Sequence, residues 1–111
     1  MDKITQYRES IKNLLTHYAK DDFYDENIEV QLIFDQEKDH YQWVNVGWQG
    51  FNRIYQCLVH FDLKDGKIWL QQNLTEMNPA EDLVAMGIPR EDIILGLHPP
   101  YKRPYTDYGV A

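Results

Sequence analysis

At 111 residues the chain has room for one domain around one hydrophobic core, so residues 1–111 are read as a single unit. Aromatic residues supply 14% of it and charged residues 26%, a folded composition that excludes a disordered chain. The net charge of −7 opposes attachment to nucleic acid, whose non-specific affinity comes from neutralising phosphates with Lys and Arg. Direct DNA binding is therefore disfavoured, although a local basic patch would escape the argument.

No apolar run approaches the roughly 20 residues that span a bilayer. The first ten residues, MDKITQYRES, lack a basic stretch followed by an apolar one, so no secretory signal is expected. Cys57 is the single cysteine and has no internal disulfide partner, which fits a reducing cytoplasm.

Ile4, Tyr7, Ile11, Leu14, Leu15 and Tyr18 recur at helical spacing, with Lys3, Arg8, Glu9, Lys12 and Asn13 on the opposite side. The pattern predicts a helix from about Lys3 to Ala19 whose stripe faces a sheet. Asp21 to Asn27 reads as an acidic loop. It lacks the central glycine and the ligand offsets of a calcium loop, and its Phe23 and Tyr24 are expected to tuck onto the core.

Asp39 to Gln72 organises the chain, because it carries all three tryptophans and reads as consecutive strands. A preceding strand alternates Ile28, Val30, Leu32 and Phe34 with Glu29, Gln31 and Ile33, and Asp35 to Asp39 turns it back. In His40 to Trp48, Val44, Val46 and Trp48 fall on one side, and Tyr41 and Trp43 on the other. The longest strand, about Phe51 to Leu63, alternates Tyr55, Cys57, Val59 and Phe61 with Ile54, Leu58, His60 and Asp62. Lys64-Asp65-Gly66-Lys67 is a two-residue type I′ hairpin signal, and Ile68 to Gln72 completes an antiparallel meander.

Both sides of the long strand carry apolar residues, and one helix covers only one of them. The other requires the C-terminal segment or a second molecule, which is the reason to expect a homo-oligomer or an obligate partner. Asn78 as N-cap, Pro79 at the first helical position and Glu81 three residues past the cap predict a short helix, about Pro79 to Met86, ended by Gly87 and Pro89. Asp92 to Leu97 reads as a buried strand, with a helical turn as the alternative. Tyr101 to Ala111 is an aromatic tail too apolar to float free. The fold class is α+β: an antiparallel meander packed against an N-terminal helix, with a short C-terminal helix and a final strand or tail.

The candidates for chemistry are sparse. His60 and Asp62 share a strand face, a spacing that suits a metal or a base and its orienter. Alternation sends Cys57 to the opposite face, which disfavours a Cys–His nucleophile pair. With no further ligand nearby, a structural His60 is preferred, and neither a metal nor a cofactor is expected. Asp39 and His40 open a strand beside Trp43 or Trp48, a setting for a polar contact site. Tyr101, Lys102 and Arg103 form the one compact basic patch. No glycine loop of the phosphate-cradling kind is present.

Read together, Phe34-Asp35, Asp39-His40-Tyr41, Val44-Asn45-Val46-Gly47-Trp48, Cys57-Leu58-Val59-His60, Gly66-Lys67-Ile68-Trp69, Thr75-Glu76, Gly87-Ile88-Pro89 and Val110-Ala111 resemble the cyanobacterial fdxN element excision controlling factor proteins (XisI-like). The order and spacing of these pieces carry the resemblance over nearly the whole chain. Asn73 stands where the pattern has an acidic residue, and Tyr108-Gly109 replaces a more usual Phe-Ala. The resemblance implies a small cytoplasmic α+β protein of a family with no established catalytic residues, controlling site-specific DNA excision beside a recombinase and an XisH-like partner. The function expected is thus a non-enzymatic factor that binds another protein. A DNA-binding accessory role resting on Lys102 and Arg103 is the alternative, and a small-molecule or metal-dependent enzyme built on His40, His60 and Asp62 is the least favoured.

Overall fold

The computed structural model describes residues 2–20 and 26–111. Helix α1 (Lys3–Lys20) leads into strands β1 (Ile28–Asp35), β2 (His40–Gln49), β3 (Asn52–Lys64) and β4 (Lys67–Asn73), followed by helix α2 (Pro79–Ala85) and strand β5 (Ile93–Leu95). The five strands form one sheet in the order β1-β2-β3-β4-β5, antiparallel except for the parallel β4–β5 pair. The expected α+β meander is the observed fold. The acidic loop with Phe23 and Tyr24 lies outside the described residues.

The apolar stripe of α1 buries Tyr7, Ile11, Leu14, Leu15 and Tyr18 against the inner face of the sheet. That face presents Tyr41 and Trp43 from β2, Val59, Phe61 and Leu63 from β3, and Ile68 and Leu70 from β4. Asn78 caps α2 through a side-chain oxygen that accepts from the Glu81 amide at 3.3 Å, and Pro79 sits in the first turn, as the sequence implies. In the β3–β4 hairpin Asp65 and Gly66 have φ of 54° and 76°, the two positive values a type I′ turn demands.

Polar joints lock α1 to the rest. The Tyr7 hydroxyl donates to Asp92, whose carboxylate also pairs with Lys3 at 2.8 Å and Lys67 at 3.4 Å. Tyr18 donates to Asp82 on α2, and Tyr108 donates to Glu81, which also holds Arg90. Tyr7 and Tyr18 thus bury their rings while their hydroxyls are paired with carboxylates, the arrangement that makes a buried phenol affordable, and Tyr108 does the same from a partly buried position.

The expected strict alternation of β3 fails at one place. Trp43 pairs with Val59 but Val44 pairs with Cys57, so Leu58 is an extra residue and β3 bulges there. Leu58 and Val59 both enter the core. Parity is reversed on the N-terminal side of the bulge, so Tyr55 and Cys57 share a face with His60 and Asp62 rather than with Val59 and Phe61. A second irregularity, where His60 pairs with Gln72 and Phe61 with Leu70, makes Gln71 the extra residue of β4.

The tail settles part of the covering problem. A 3-10 turn at Pro100–Tyr105 carries Arg103 over the outer-face indole of Trp69, with its guanidinium 5.2 Å from the ring centroid. Arg103 donates to the carbonyls of Leu95, His98 and Ala111. The outer side of β4 and β5 is thereby closed by the chain itself, and Ile94 is fully buried there. Among the described residues nothing closes the outer face over β1 to β3: Ile33, Trp48 and Tyr55 are exposed, and Phe51 at the β2–β3 turn is fully exposed.

Candidate functional site

The open face carries two adjoining features, an aromatic patch and a polar cluster. Outward residues of β2 are His40, Gln42, Val44, Val46 and Trp48; opposite them on β3 stand Asp62, His60, Cys57, Tyr55 and Arg53. Trp48 is 50% exposed and Tyr55 73% exposed. The Arg53 guanidinium lies 5.5 Å from the Trp48 ring centroid, so the patch is aromatic with a cationic rim.

The cluster forms because His40 and Asp62 are register partners across β2 and β3, and His60 is two residues from Asp62 on the same face. His40 Nδ1 and His60 Nε2 each lie 2.7 Å from the same oxygen, Asp62 Oδ1. The other oxygen of Asp62 accepts from Gln71 Nε2 at 3.1 Å, and Gln42 Nε2 lies 3.4 Å from His60 Nδ1. Burial pushes the Asp62 carboxyl up, but the bonds from His40, His60 and Gln71 outweigh it and hold the group below the ordinary carboxylate range. Asp62 is therefore an acceptor, and both imidazoles present N–H to it. The bond to Asp62 in turn holds His40 above the usual histidine value.

The structure separates the remaining sequence candidates. Asp39 faces inward: its carboxylate takes two bonds from Arg8, at 2.8 and 3.1 Å, and one from the Tyr41 hydroxyl at 2.8 Å, tying α1 to the β1–β2 turn. Trp43 is buried in the core beside Tyr18 and donates to Asn45 Oδ1 at 3.2 Å, so it contributes nothing to a surface. Arg103 is only 9% exposed and spends its donors on backbone carbonyls, leaving Lys102 and Tyr101 as the exposed part of the basic patch. Cys57 stands on the same side as His60, with Gln42 between them at 4.0 Å from the sulfur; burial pushes its thiol up, which opposes a reactive thiolate. The contributions of Gln71 and Tyr55 were missed in the sequence because they depend on bulges that no residue type announces, and that of Gln42 because it depends on the β2–β3 register.

The XisI protein family model matches residues 1–110. The chain belongs to this family. Among solved structures, an XisI-like protein from Anabaena variabilis is 68% identical, with 99% of this chain and all of that chain covered and a TM-score of 0.94. The fdxN element excision controlling factor XisI from the same organism is 32% identical over 99% of this chain and all of its own, with a TM-score of 0.85. A search of curated proteins returns no significant match.

Proposed function

We propose that this chain is a controlling factor for the excision of a DNA element and works without catalysis, by binding another protein through the open outer face of β1 to β3. The first half of this reading comes from the relative solved as an fdxN element excision controlling factor. The observation that carries the second half is the aromatic patch itself. Trp48, Tyr55 and Phe51 hold large rings in solvent at one end of this face, where a self-sufficient domain would place polar groups. Tryptophan and tyrosine are the residues that dominate binding energy at protein interfaces. The partner proposed is an XisH-like protein, with the site-specific recombinase as the other macromolecule of the process and a second copy of this chain as a competitor for the same face.

A DNA-binding accessory role loses support because Arg103 is buried under its own hydrogen bonds, leaving Lys102 without it in an acidic chain. Co-expression with an XisH-like protein tests the proposal. A complex that survives purification at micromolar concentration and is lost in Trp48→Ser/Tyr55→Ser supports it. Separate elution of the two proteins, or a complex indifferent to these substitutions, contradicts it.

A further inference from the structure

We infer that His40, His60 and Asp62 form a binding site for one borderline divalent transition-metal cation, of the Zn²⁺ or Co²⁺ class, on the open face of the sheet. The ligand atoms of the three residues lie within 4.8 Å of one another, a convergence of three metal-ligating side chains among the described residues. His60 and Asp62 are a local pair two residues apart, and the β2–β3 register brings His40 to them. Two neutral imidazoles and one carboxylate suit Zn²⁺, Co²⁺, Ni²⁺ or Cu²⁺ and do not suit Mg²⁺ or Ca²⁺, which require oxygen shells.

The surroundings fit that role. Gln71 holds the distal oxygen of Asp62 at 3.1 Å, which leaves Oδ1 as the single oxygen offered to an ion. Gln42 Nε2 lies 3.4 Å from His60 Nδ1, which places an amide beside the second ring nitrogen, where an acceptor orients metal-bound histidines. All three ligands stand on paired strands, so little ordering accompanies binding. Asp35, the register partner of His40 on β1, adds negative potential beside it.

Binding requires two small adjustments. Ligand atoms of a tetrahedral zinc site are roughly 3.4 Å apart, so each imidazole retreats from its present 2.7 Å contact with Oδ1. His40, the first residue of β2 and 55% exposed at its side chain, has room to do so. The ring protons move to the other nitrogens. On His60 that is Nδ1, whose N–H donates to Gln42 once the amide turns its oxygen inward. Three protein ligands leave a coordination position for water or another donor, as in zinc sites that are not closed.

The test is titration of Co²⁺ into the tag-free full-length protein, followed by visible absorption and then by displacement with Zn²⁺. The result expected is saturation at one equivalent per chain with ligand-field bands of a low-coordinate site, bleached by Zn²⁺. His40→Gln, at an exposed position, is expected to fold and to lose the bands. Gln71→Ala is expected to weaken affinity about tenfold or more. If His40→Gln does not fold, His60→Gln takes its place. No saturable binding at one equivalent, or bands retained in the histidine variants, overturns the assignment.

Discussion

Gly47→Ala isolates one close approach on which the open face depends. A Cβ at this position would lie 2.1 Å from the Asn27 carbonyl oxygen and 2.8 Å from Ile28 Cα. Both are backbone atoms, so no side chain can step aside, and the start of β1 must retreat from β2 by roughly 1 Å to restore van der Waals contact. The retreat breaks the bond from the Trp48 amide to Asn27 O, now 3.1 Å, and loosens the Ile28–Gly47 pair. Overpacking of this kind costs about 1–3 kcal/mol, and each lost backbone bond adds about 1 kcal/mol. The total is about 2–4 kcal/mol. For a domain of this size that lowers the melting temperature by roughly 8 °C or more. Gly66→Ala is the control, because a Cβ there meets nothing within 4 Å and only its φ of 76° is strained, a cost of about 1–2 kcal/mol. Thermal melts by circular dichroism, with hydrogen exchange at the Trp48 amide, measure both. A Gly47→Ala melt milder than that of Gly66→Ala, or an unaltered Trp48 amide, refutes the reasoning.

Three further predictions concern the joints. The Arg8 bond holds Asp39 low, while at Asp62 and Asp92 hydrogen bonds outweigh the opposing effect of burial. A depressed folded-state pKa contributes stability that is complete above the unfolded value of about 3.9 and is lost as pH falls through the folded one. Melts should therefore drop steeply below about pH 4, and a flat profile from pH 5 to pH 3 would contradict the assignment. His40 is raised, so its contribution is present below about pH 6.5 and fades as pH rises through its folded value; Asp62→Asn should abolish that slope in a two-temperature stability titration. Trp69→Ala should cost about 3 kcal/mol. Trp69→Phe should cost much less in the same urea titration, since the buried indole N–H has no hydrogen-bond partner to lose.

Local signals in the sequence announced most of the architecture. The stripe of α1, the Asp65-Gly66 turn and the Asn78-Pro79-Glu81 cap each act within a few residues, and each appears where the pattern placed it. The bulge at Leu58 was not legible, because an extra apolar residue in an apolar strand breaks alternation without any glycine or proline to mark it. That one residue moved Cys57 and Tyr55 to the face of His60. The tyrosine–carboxylate joints were equally hidden: Tyr7 and Asp92 are 85 positions apart, a pairing no local pattern encodes. The tail was read as docked but not where, and its Arg103, taken as a surface charge, turned out to close the outer side of β4 and β5.

The most direct measurement is the frequency of the excised junction in host cells whose own copy is replaced by a Trp48→Ser/Tyr55→Ser variant of unchanged melting temperature and expression. If the open aromatic face is where this protein exerts control, excision in those cells should fall to the level of cells lacking the protein. Excision at the unsubstituted frequency would contradict that account.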